Sequence, residues 1–155
     1  MLNRWAALVL VLALCAFTPK YAAGQQSSNP PRGHKAGGGL GQNYPNPFNP
    51  ETTIPFTIGD PTCSDGGASH VVSLRIYNIL AQPVAVPILQ GGSSSSASNG
   101  LAGKPLLNLS LSCGQYTAYW DGRYLNTSTE VASGVYVYEL VIDGDRIVKK
   151  MFVAK

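Results

Sequence analysis

The sequence Val135-Tyr-Val-Tyr-Glu-Leu-Val-Ile-Asp-Gly-Asp-Arg-Ile-Val-Lys-Lys-Met-Phe-Val153 predicts the longest β-hairpin in the chain. Val135–Ile142 and Arg146–Val153 are rich in β-branched and aromatic residues, which favour strands. Asp143-Gly144 between them is a typical two-residue hairpin turn, because glycine and aspartate tolerate the positive φ that such turns require. We therefore expect these two strands to pair with each other and to control folding.

Upstream segments show the same period-two alternation of apolar residues, which is typical of half-buried strands. They are Thr52–Ile58, Val71–Tyr77, Val84–Ile88, Leu107–Leu111 and Gln115–Trp120. Pro83 and Pro87 place the third of these segments at a sheet edge, because proline cannot donate to the ladder. About seven short strands at this spacing predict an all-β fold, an antiparallel immunoglobulin-like β-sandwich.

The N-terminal segment has the pattern of a secretory signal peptide. Met1–Arg4 is basic, and the apolar run Trp5–Phe17 is shorter than the roughly 20 residues that a membrane-spanning helix needs. Small residues then offer a cleavage site after Gly24; the alternative is an uncleaved membrane anchor. The predicted organisation is a cleaved signal peptide at 1–24, a flexible linker at 25–42 and a folded domain at 43–155, with no membrane span after cleavage.

Charge argues against a nucleic-acid partner. Removal of residues 1–24 takes away two basic residues, Arg4 and Lys20, and no acidic one, so most of the net charge of +3 lies in the leader. The remaining cations form no run that could follow a phosphate backbone.

Two cysteines, Cys63 and Cys113, remain after signal cleavage. In an exported protein such a pair predicts a disulfide bond. The alternative is a pair of buried free thiols. A catalytic cysteine is not expected, because no histidine is placed to activate one.

The string Tyr44-Pro-Asn-Pro-Phe-Asn-Pro50 is stiff, because each proline fixes its own φ and pushes the preceding residue toward extended geometry. We favour a structural interpretation, in which Phe48 anchors a rigid lead-in to the first strand at the sandwich edge. The alternative is a polyproline-type ligand for a partner protein.

Trp120-Asp-Gly-Arg123 is predicted to end a strand, with Trp120 in the core and Asp121-Gly122 in a turn. Asp121, Asp143 and Asp145 also raise the possibility of calcium binding. Their spacing matches no calcium loop, so we predict no metal site.

Four tyrosines lie on the predicted strands: Tyr116, Tyr119, Tyr136 and Tyr138. We favour a position on the outer face of a sheet, where they would pair across strands. The alternative is an aromatic strip that binds sugars or a partner surface.

The Ser- and Gly-rich stretch within residues 90–104 predicts a dispensable surface insertion.

No catalytic constellation is present in the sequence. His34 lies in the predicted linker and His70 at the start of a strand, and the acidic residues are scattered over turns. Because no nucleophile elbow, phosphate loop or metal-spaced cluster occurs, we predict a protein that is not an enzyme and needs no cofactor.

Residues 43–155 resemble the C-terminal sorting domains of the bacterial type IX secretion system, and equally the immunoglobulin-like domain of the flagellar hook-capping protein family. The matching strings are Tyr44–Pro50, Thr52-Thr-Ile54, Leu74-Arg-Ile-Tyr-Asn78, Trp120-Asp-Gly-Arg123, Val131-Ala-Ser-Gly-Val-Tyr136 and Lys149-Lys-Met151. The resemblance implies a small antiparallel sandwich that serves as an address for the outer-membrane secretion machinery.

The resemblance also implies which residues carry the sorting role. They are Pro45, Asn46, Pro47, Phe48, Asn49, Pro50, Trp120, Asp121, Gly122, Gly134, Val135, Tyr136, Lys149 and Lys150. The expected route is export through the periplasm to the cell surface or the medium, and the expected partner is the secretion machinery or another component of the cell envelope.

Three features depart from the family pattern: only a short linker precedes the module, the stretch 90–104 is inserted, and the pair Cys63/Cys113 is additional. The absence of a cargo domain ahead of the module suggests an alternative function. In that alternative the module is itself the product, a stand-alone structural or adhesive protein of the cell surface.

Overall fold

A computed structural model of the chain describes residues 37–59, 67–92, 100–125 and 127–155. These residues form nine β-strands and no helix. The strands are β1 (Gly38–Leu40), β2 (Thr52–Ile58), β3 (Ser69–Asn78), β4 (Pro83–Ala85), β5 (Ile88–Gly92), β6 (Leu109–Ser112), β7 (Gly114–Trp120), β8 (Gly134–Ile142) and β9 (Asp145–Val153).

The strands form two antiparallel sheets. The first has the order β1-β2-β7-β5, and the second has the order β4-β3-β8-β9 with β6 also paired to β3. The predicted hairpin is confirmed: β8 and β9 pair from Gly134 opposite Val153 to Ile142 opposite Asp145. Since β3 pairs with the other side of β8, that strand is central in its sheet.

Alternation along the strands directs one apolar face of each sheet into a shared core. Val72, Leu74 and Ile76 of β3 are fully buried, as are alternate residues of β2. The inner faces of both sheets belong to a single cluster of buried side chains, which is the arrangement of a β-sandwich. The prediction of an all-β, antiparallel fold is confirmed at this level.

The segment Val84–Ile88, predicted as one strand, divides between the two sheets. β4 ends at Ala85 in the second sheet, and β5 begins at Ile88 in the first. Pro87 lies between them and lacks the N–H that a continuing ladder would need. Both strands lie at sheet edges, as the prolines predicted.

The strand predicted at Leu107–Leu111 begins later, at Leu109. Asn108 has a φ of 52° and interrupts the alternation. As a result Leu106 is fully buried and Leu107 is 44% exposed, so the predicted inner face of this segment is wrong at its first residue.

The linker prediction for residues 25–42 is wrong at its C-terminal end. Gly38–Leu40 forms β1, paired with Phe56–Ile58 of β2. The glycines there are a requirement of close packing: a Cβ at Gly41 would lie 2.6 Å from Cγ of Pro55. Their small size allows one backbone to approach another, whereas composition alone indicated a flexible chain.

The predicted insertion at 90–104 is structured at both ends. Gly91 and Gly92 pair with β7, and the Leu89 N–H donates to the Lys104 carbonyl at 2.8 Å. The serine-rich middle, residues 93–99, lies outside the described residues. Residues 100–106 therefore belong to the fold, and the prediction of a dispensable loop can hold only for 93–99.

Other predictions also fall outside the described residues: the signal peptide at 1–24, the first part of the linker at 25–36, and Cys63. Within the described ranges, the chain contains no helix that could cross a membrane.

Candidate functional site at the edge of the last strand

Asn46–Phe48 of the proline segment (Tyr44–Pro50) lies along the outer edge of β9, whereas Tyr44 pairs with Thr53 of β2. The Phe48 N–H donates to the Phe152 carbonyl at 3.0 Å, and the Ala154 N–H donates to the Phe48 carbonyl at 3.1 Å. The Asn46 side-chain oxygen accepts the Phe152 N–H at 2.9 Å. A sheet edge would otherwise present these groups to solvent or to another chain. The first and last motif strings of the sequence thus form one structural unit.

Phe48 anchors this unit in the core, as predicted. Its side chain is 1% exposed, and its ring centroid lies 5.4 Å from that of Trp120. Trp120 in turn lies 6.0 Å from the ring of Tyr136 in an edge-to-face arrangement. Aromatic contacts of this kind contribute about 0.5–1.5 kcal/mol beyond the burial of area. Three motif strings that are far apart in sequence therefore meet through three rings.

Gly122 contacts the proline segment directly. It has a φ of +72°, and a Cβ added there would lie 2.0 Å from the Pro50 carbonyl oxygen. No other residue fits, since any side chain would collide with the backbone of Pro50. The predicted turn at Asp121-Gly122 therefore also positions the end of the proline segment.

A buried polar cluster fixes the start of the same segment, and the sequence analysis did not assign it to the site. Asn43 is 2% exposed, and its Nδ2 donates to the Pro45 carbonyl and to Thr52 Oγ1, both at 3.0 Å. Tyr138 donates through its hydroxyl to the Gly41 carbonyl at 2.8 Å. The signal in the sequence is a polar residue on each side of the prolines, which is too weak to be recognised without the fold.

The prediction that the tyrosines cover an outer face is wrong for Tyr116, Tyr136 and Tyr138, which point into the core. Their exposed fractions are 2%, 6% and 0%. Burial is possible because each hydroxyl reaches a backbone carbonyl, and burial raises the pKa of all three groups. Tyr119, on the outer face, behaves as predicted.

The exposed side of the unit is mainly apolar. Tyr44 is 79% exposed, Phe152 47% and Val135 38%. Val135 and Phe152 lie directly opposite each other on the outer face of the β8–β9 pair. Pro47 lies between the two residues that bond to the backbone of Phe152. We call this set, with the neighbouring Lys150, the edge surface.

The remaining predicted site residues have separate positions. Gly134 opens β8, and Asn49 and Pro50 are exposed at the end of the proline segment. Lys149 lies opposite Tyr138 in the β8–β9 ladder. Asp121 lies 3.8 Å from the guanidinium of Arg123 and takes no part in the edge surface.

Cys113 is 7% exposed between β6 and β7. Its predicted partner Cys63 is outside the described residues, so the disulfide bond stays a prediction.

Of the two histidines in the sequence, only His70 is within the described residues. It joins β3 to the turn of the last hairpin. Its Nδ1 lies 2.6 Å from Asp143 Oδ2, while the other carboxylate oxygen accepts the Val71 N–H at 2.8 Å. These two bonds hold the pKa of the Asp143 carboxyl below its usual value. Among the described acidic, histidine and cysteine residues, no three lie close enough to hold a metal ion.

No protein-family model, no curated protein and no solved structure matches this chain.

Proposed function

We propose that this chain is an exported, non-catalytic module of immunoglobulin type that acts as a sorting and surface-attachment signal of the type IX secretion kind. Its partner in this proposal is the secretion machinery of the outer membrane or another envelope component. The address is the edge surface, formed by Tyr44, Pro47, Val135, Lys150 and Phe152.

The observation that carries the proposal is the convergence of the motif strings on one edge. The Phe48 and Asn46 contacts with Phe152, and the Gly122 contact with Pro50, join strings that are distant in sequence. Core packing alone does not account for Tyr44, which is 79% exposed at the start of the proline segment. Exposed aromatic residues next to a rigid backbone are typical of recognition surfaces.

Two local features support the immunoglobulin-like part of the proposal. The Tyr116 and Tyr136 hydroxyls each donate to the carbonyl four residues upstream, at Ser112 and Ala132. This contact is of the type found at the tyrosine corner of immunoglobulin-like domains. A buried tryptophan, Trp120 at 3% exposure, packs between the sheets as in that architecture.

The proposal is tested by changing exposed side chains of the edge surface without disturbing the anchor. Tyr44→Ala and Phe152→Ser remove apolar surface while leaving Phe48 and the backbone bonds in place. We expect the double variant to melt within a few degrees of the native protein and to reach the cell surface about tenfold less efficiently, as for loss of an interface hot spot. Surface labelling in the native host gives the measurement.

Val71→Ser is the matched control. Val71 is 52% exposed on the outer face of the same sheet, on β3 and away from the proline segment. Its replacement should leave display unchanged. Normal display of the folded double variant, or an equal loss in the control, would contradict the proposed address.

The second candidate is a stand-alone structural or adhesive surface protein. Tyr44 and Phe152 would then contact an extracellular partner instead of the export machinery. Mass spectrometry of the surface-exposed protein separates the candidates. A cleaved sorting signal loses residues of the domain after export, whereas an adhesive module stays intact through Lys155.

A further inference from the structure

A second surface feature lies away from the edge surface, where the chain crosses from one sheet to the other. It is a cleft of about 240 Å³ between the β4–β5 crossing, the end of β7 and the following loop. Val86 and Ile88 supply apolar atoms, Tyr119 and Tyr124 supply aromatic rings, and Asp121 and Arg123 supply charged groups. Its volume is below that of drug-sized pockets, which begin at about 300 Å³, so it suits one small ring or the end of a chain.

The two tyrosines of this cleft are held in different ways. Tyr119 donates through its hydroxyl to Glu51 Oε2 at 2.5 Å, and the Tyr124 backbone N–H donates to the Thr129 carbonyl at 3.0 Å. The loop that carries Tyr124 is held by the Leu125 N–H, which donates to the Val84 carbonyl at 2.7 Å. Groups held in this way lose little conformational entropy when a ligand packs against them, which favours weak but specific binding.

The two charged side chains of the cleft form an ion pair that is long and largely exposed. The Arg123 guanidinium and the Asp121 carboxylate are 3.8 Å apart, and their side chains are 50% and 46% exposed. A guanidinium only donates hydrogen bonds and a carboxylate only accepts them. Side by side, they match the neighbouring hydroxyl groups of a sugar, each of which can both donate and accept.

Local charge disfavours an anionic ligand. The two charged side chains that line the cleft, Asp121 and Arg123, cancel each other, and the Glu51 carboxylate lies beside the cleft at the Tyr119 hydroxyl. A carboxylated or phosphorylated ligand would therefore find no net positive charge in the lining, and Glu51 would repel it. A neutral sugar brings an apolar C–H face for the tyrosine rings and hydroxyl groups for the ion pair, without this repulsion.

We propose that this cleft binds one residue of a neutral glycan, with the sugar face against Tyr119 and Tyr124 and its hydroxyl groups on Asp121 and Arg123. The site is independent of the edge surface, so export and glycan binding can succeed or fail separately.

The test is an amide-shift titration by NMR on the full-length chain. The probes are cellotriose, maltotriose, mannotriose and N-acetylchitotriose, with tri-galacturonate as the charged comparison. We expect at least one neutral trisaccharide to shift amides between Tyr119 and Leu125, with a dissociation constant on the order of millimolar. Tri-galacturonate should bind more weakly than that sugar.

Matched variants distinguish the cleft from other aromatic surface. Tyr124→Ala and Arg123→Met should each weaken binding about tenfold, which corresponds to about 1.4 kcal/mol. Tyr119→Phe keeps the ring but releases it from Glu51, so it should weaken binding less than Tyr124→Ala does, and Tyr44→Ala, at a tyrosine outside the cleft, should not change the affinity. Retained dispersion of the amide spectrum shows that each variant is folded.

Three results would overturn the inference. The first is the absence of shifts with every neutral probe at about 20 mM, well above a millimolar dissociation constant. The second is a set of shifts centred on Tyr44 and unaffected by Tyr124→Ala. The third is tighter binding of tri-galacturonate than of any neutral sugar, which would reject the ligand class.

Discussion

Asn46–Phe48 of the proline segment lies along β9, and residues Gly103–Leu106 lie along β5 at an edge of the other sheet. Phe48 exchanges two backbone hydrogen bonds, one with Phe152 and one with Ala154, and Leu89 exchanges two, one with Gly103 and one with Lys104. Each segment also buries one large apolar side chain: Phe48 is 1% exposed and Leu106 is fully buried. Their compositions differ, because one is rich in proline and the other follows a run of serine and glycine.

This comparison indicates what closes a sheet edge in this protein. A run of prolines is not required, since Gly103–Leu106, with the single proline Pro105, makes comparable contacts. A buried anchor and a pair of backbone bonds are common to both edges. The difference is in what remains exposed: the β9 side presents Tyr44 and Phe152, whereas the residues that cover β5 are mostly small or polar.

The largest expected effect comes from removing the strand that the proline segment covers. Deletion of Met151–Lys155 removes the fully buried Met151 and the backbone partners of Phe48. Each buried polar group left unpaired costs about 1–3 kcal/mol, and a domain of this size is stable by only about 5–15 kcal/mol. We expect no cooperative thermal transition by circular dichroism. A cooperative melt near the native midpoint would show that β9 is not essential.

Truncation of the two anchors compares the edges directly. Phe48→Ala should lower the free energy of unfolding by about 3–5 kcal/mol and Leu106→Ala by about 2–5 kcal/mol, because both leave a cavity in the same core. Urea unfolding measures both values. If Phe48→Ala cost less than about 1 kcal/mol while Leu106→Ala kept its full effect, proline stiffness would replace the anchor as the cause of closure on β9.

The predicted Cys63–Cys113 bridge would add a restraint near β6 and β7 that the β9 edge lacks. Reduction should lower the free energy of unfolding by about 2–4 kcal/mol, because the bridge closes a long loop in the unfolded chain. Peptide mapping without reductant should recover one cross-linked pair. Two thiols that react with an alkylating agent in the native protein would refute the bridge.

The tie between His70 and Asp143 gives the β8–β9 side a pH dependence. Because the pKa of Asp143 is lowered in the folded state, its stabilising contribution is present above the unfolded value of about 4. It is lost as the pH falls through the lower folded value. Asp143→Asn should therefore be less stable than the native protein at neutral pH, and the two proteins should converge in strong acid.

Parallel urea titrations in the His70→Gln background complete a double-mutant cycle. If the ion pair causes the effect, Asp143→Asn should cost less in that background than in the native one. An equal cost in both backgrounds would assign the effect to the bond with the Val71 N–H instead.

The smallest effect is expected for residues 93–99, the serine-rich middle of the predicted insertion at 90–104. Replacement of Ser93–Asn99 by two glycines shortens the closing loop without touching Gly92 or Leu106. The free-energy cost of closing the loop changes by less than about 1 kcal/mol, so the melting temperature should move by only a few degrees. A matched deletion of Lys104–Leu106 should lower the melting temperature strongly. Equal effects of the two deletions would show that the whole insertion at 90–104 contributes to stability as one unit.

Local pattern was sufficient where a segment is regular along its whole length. The alternation in Thr52–Ile58 predicted a strand and its inner face, and Val135–Val153 predicted two paired strands and their turn, in agreement with the structure. The face that Tyr136 and Tyr138 occupy was predicted wrongly. Alternation was misleading where a single residue changes the phase, as Asn108 does with its positive φ. It was also misleading at Gly38–Leu40, where glycine serves close packing and its usual flexibility does not apply.

The sequence identified the motifs of the candidate site but not the contacts between them. Phe48 was predicted as an anchor and Trp120 as a core residue, because large aromatic side chains are on average highly buried. Three other features depend on strands that are distant in sequence: the contact between Phe48 and Trp120, the hydrogen bonds of Asn43 in the buried polar cluster, and the burial of Tyr138. A tyrosine on a strand can face either way, and only the carbonyl available at Gly41 makes the inner position favourable.

The sequence by itself determined the all-β class, most of the strands, the final hairpin and the stiffness of the proline segment. These are properties of neighbouring residues, set by backbone preferences and period-two alternation. The tertiary structure alone decided which edge the prolines cover, which face the tyrosines occupy, and that Gly122 contacts the carbonyl of Pro50. Such contacts depend on the packing of two sheets against each other, and no local preference of a short segment contains that information.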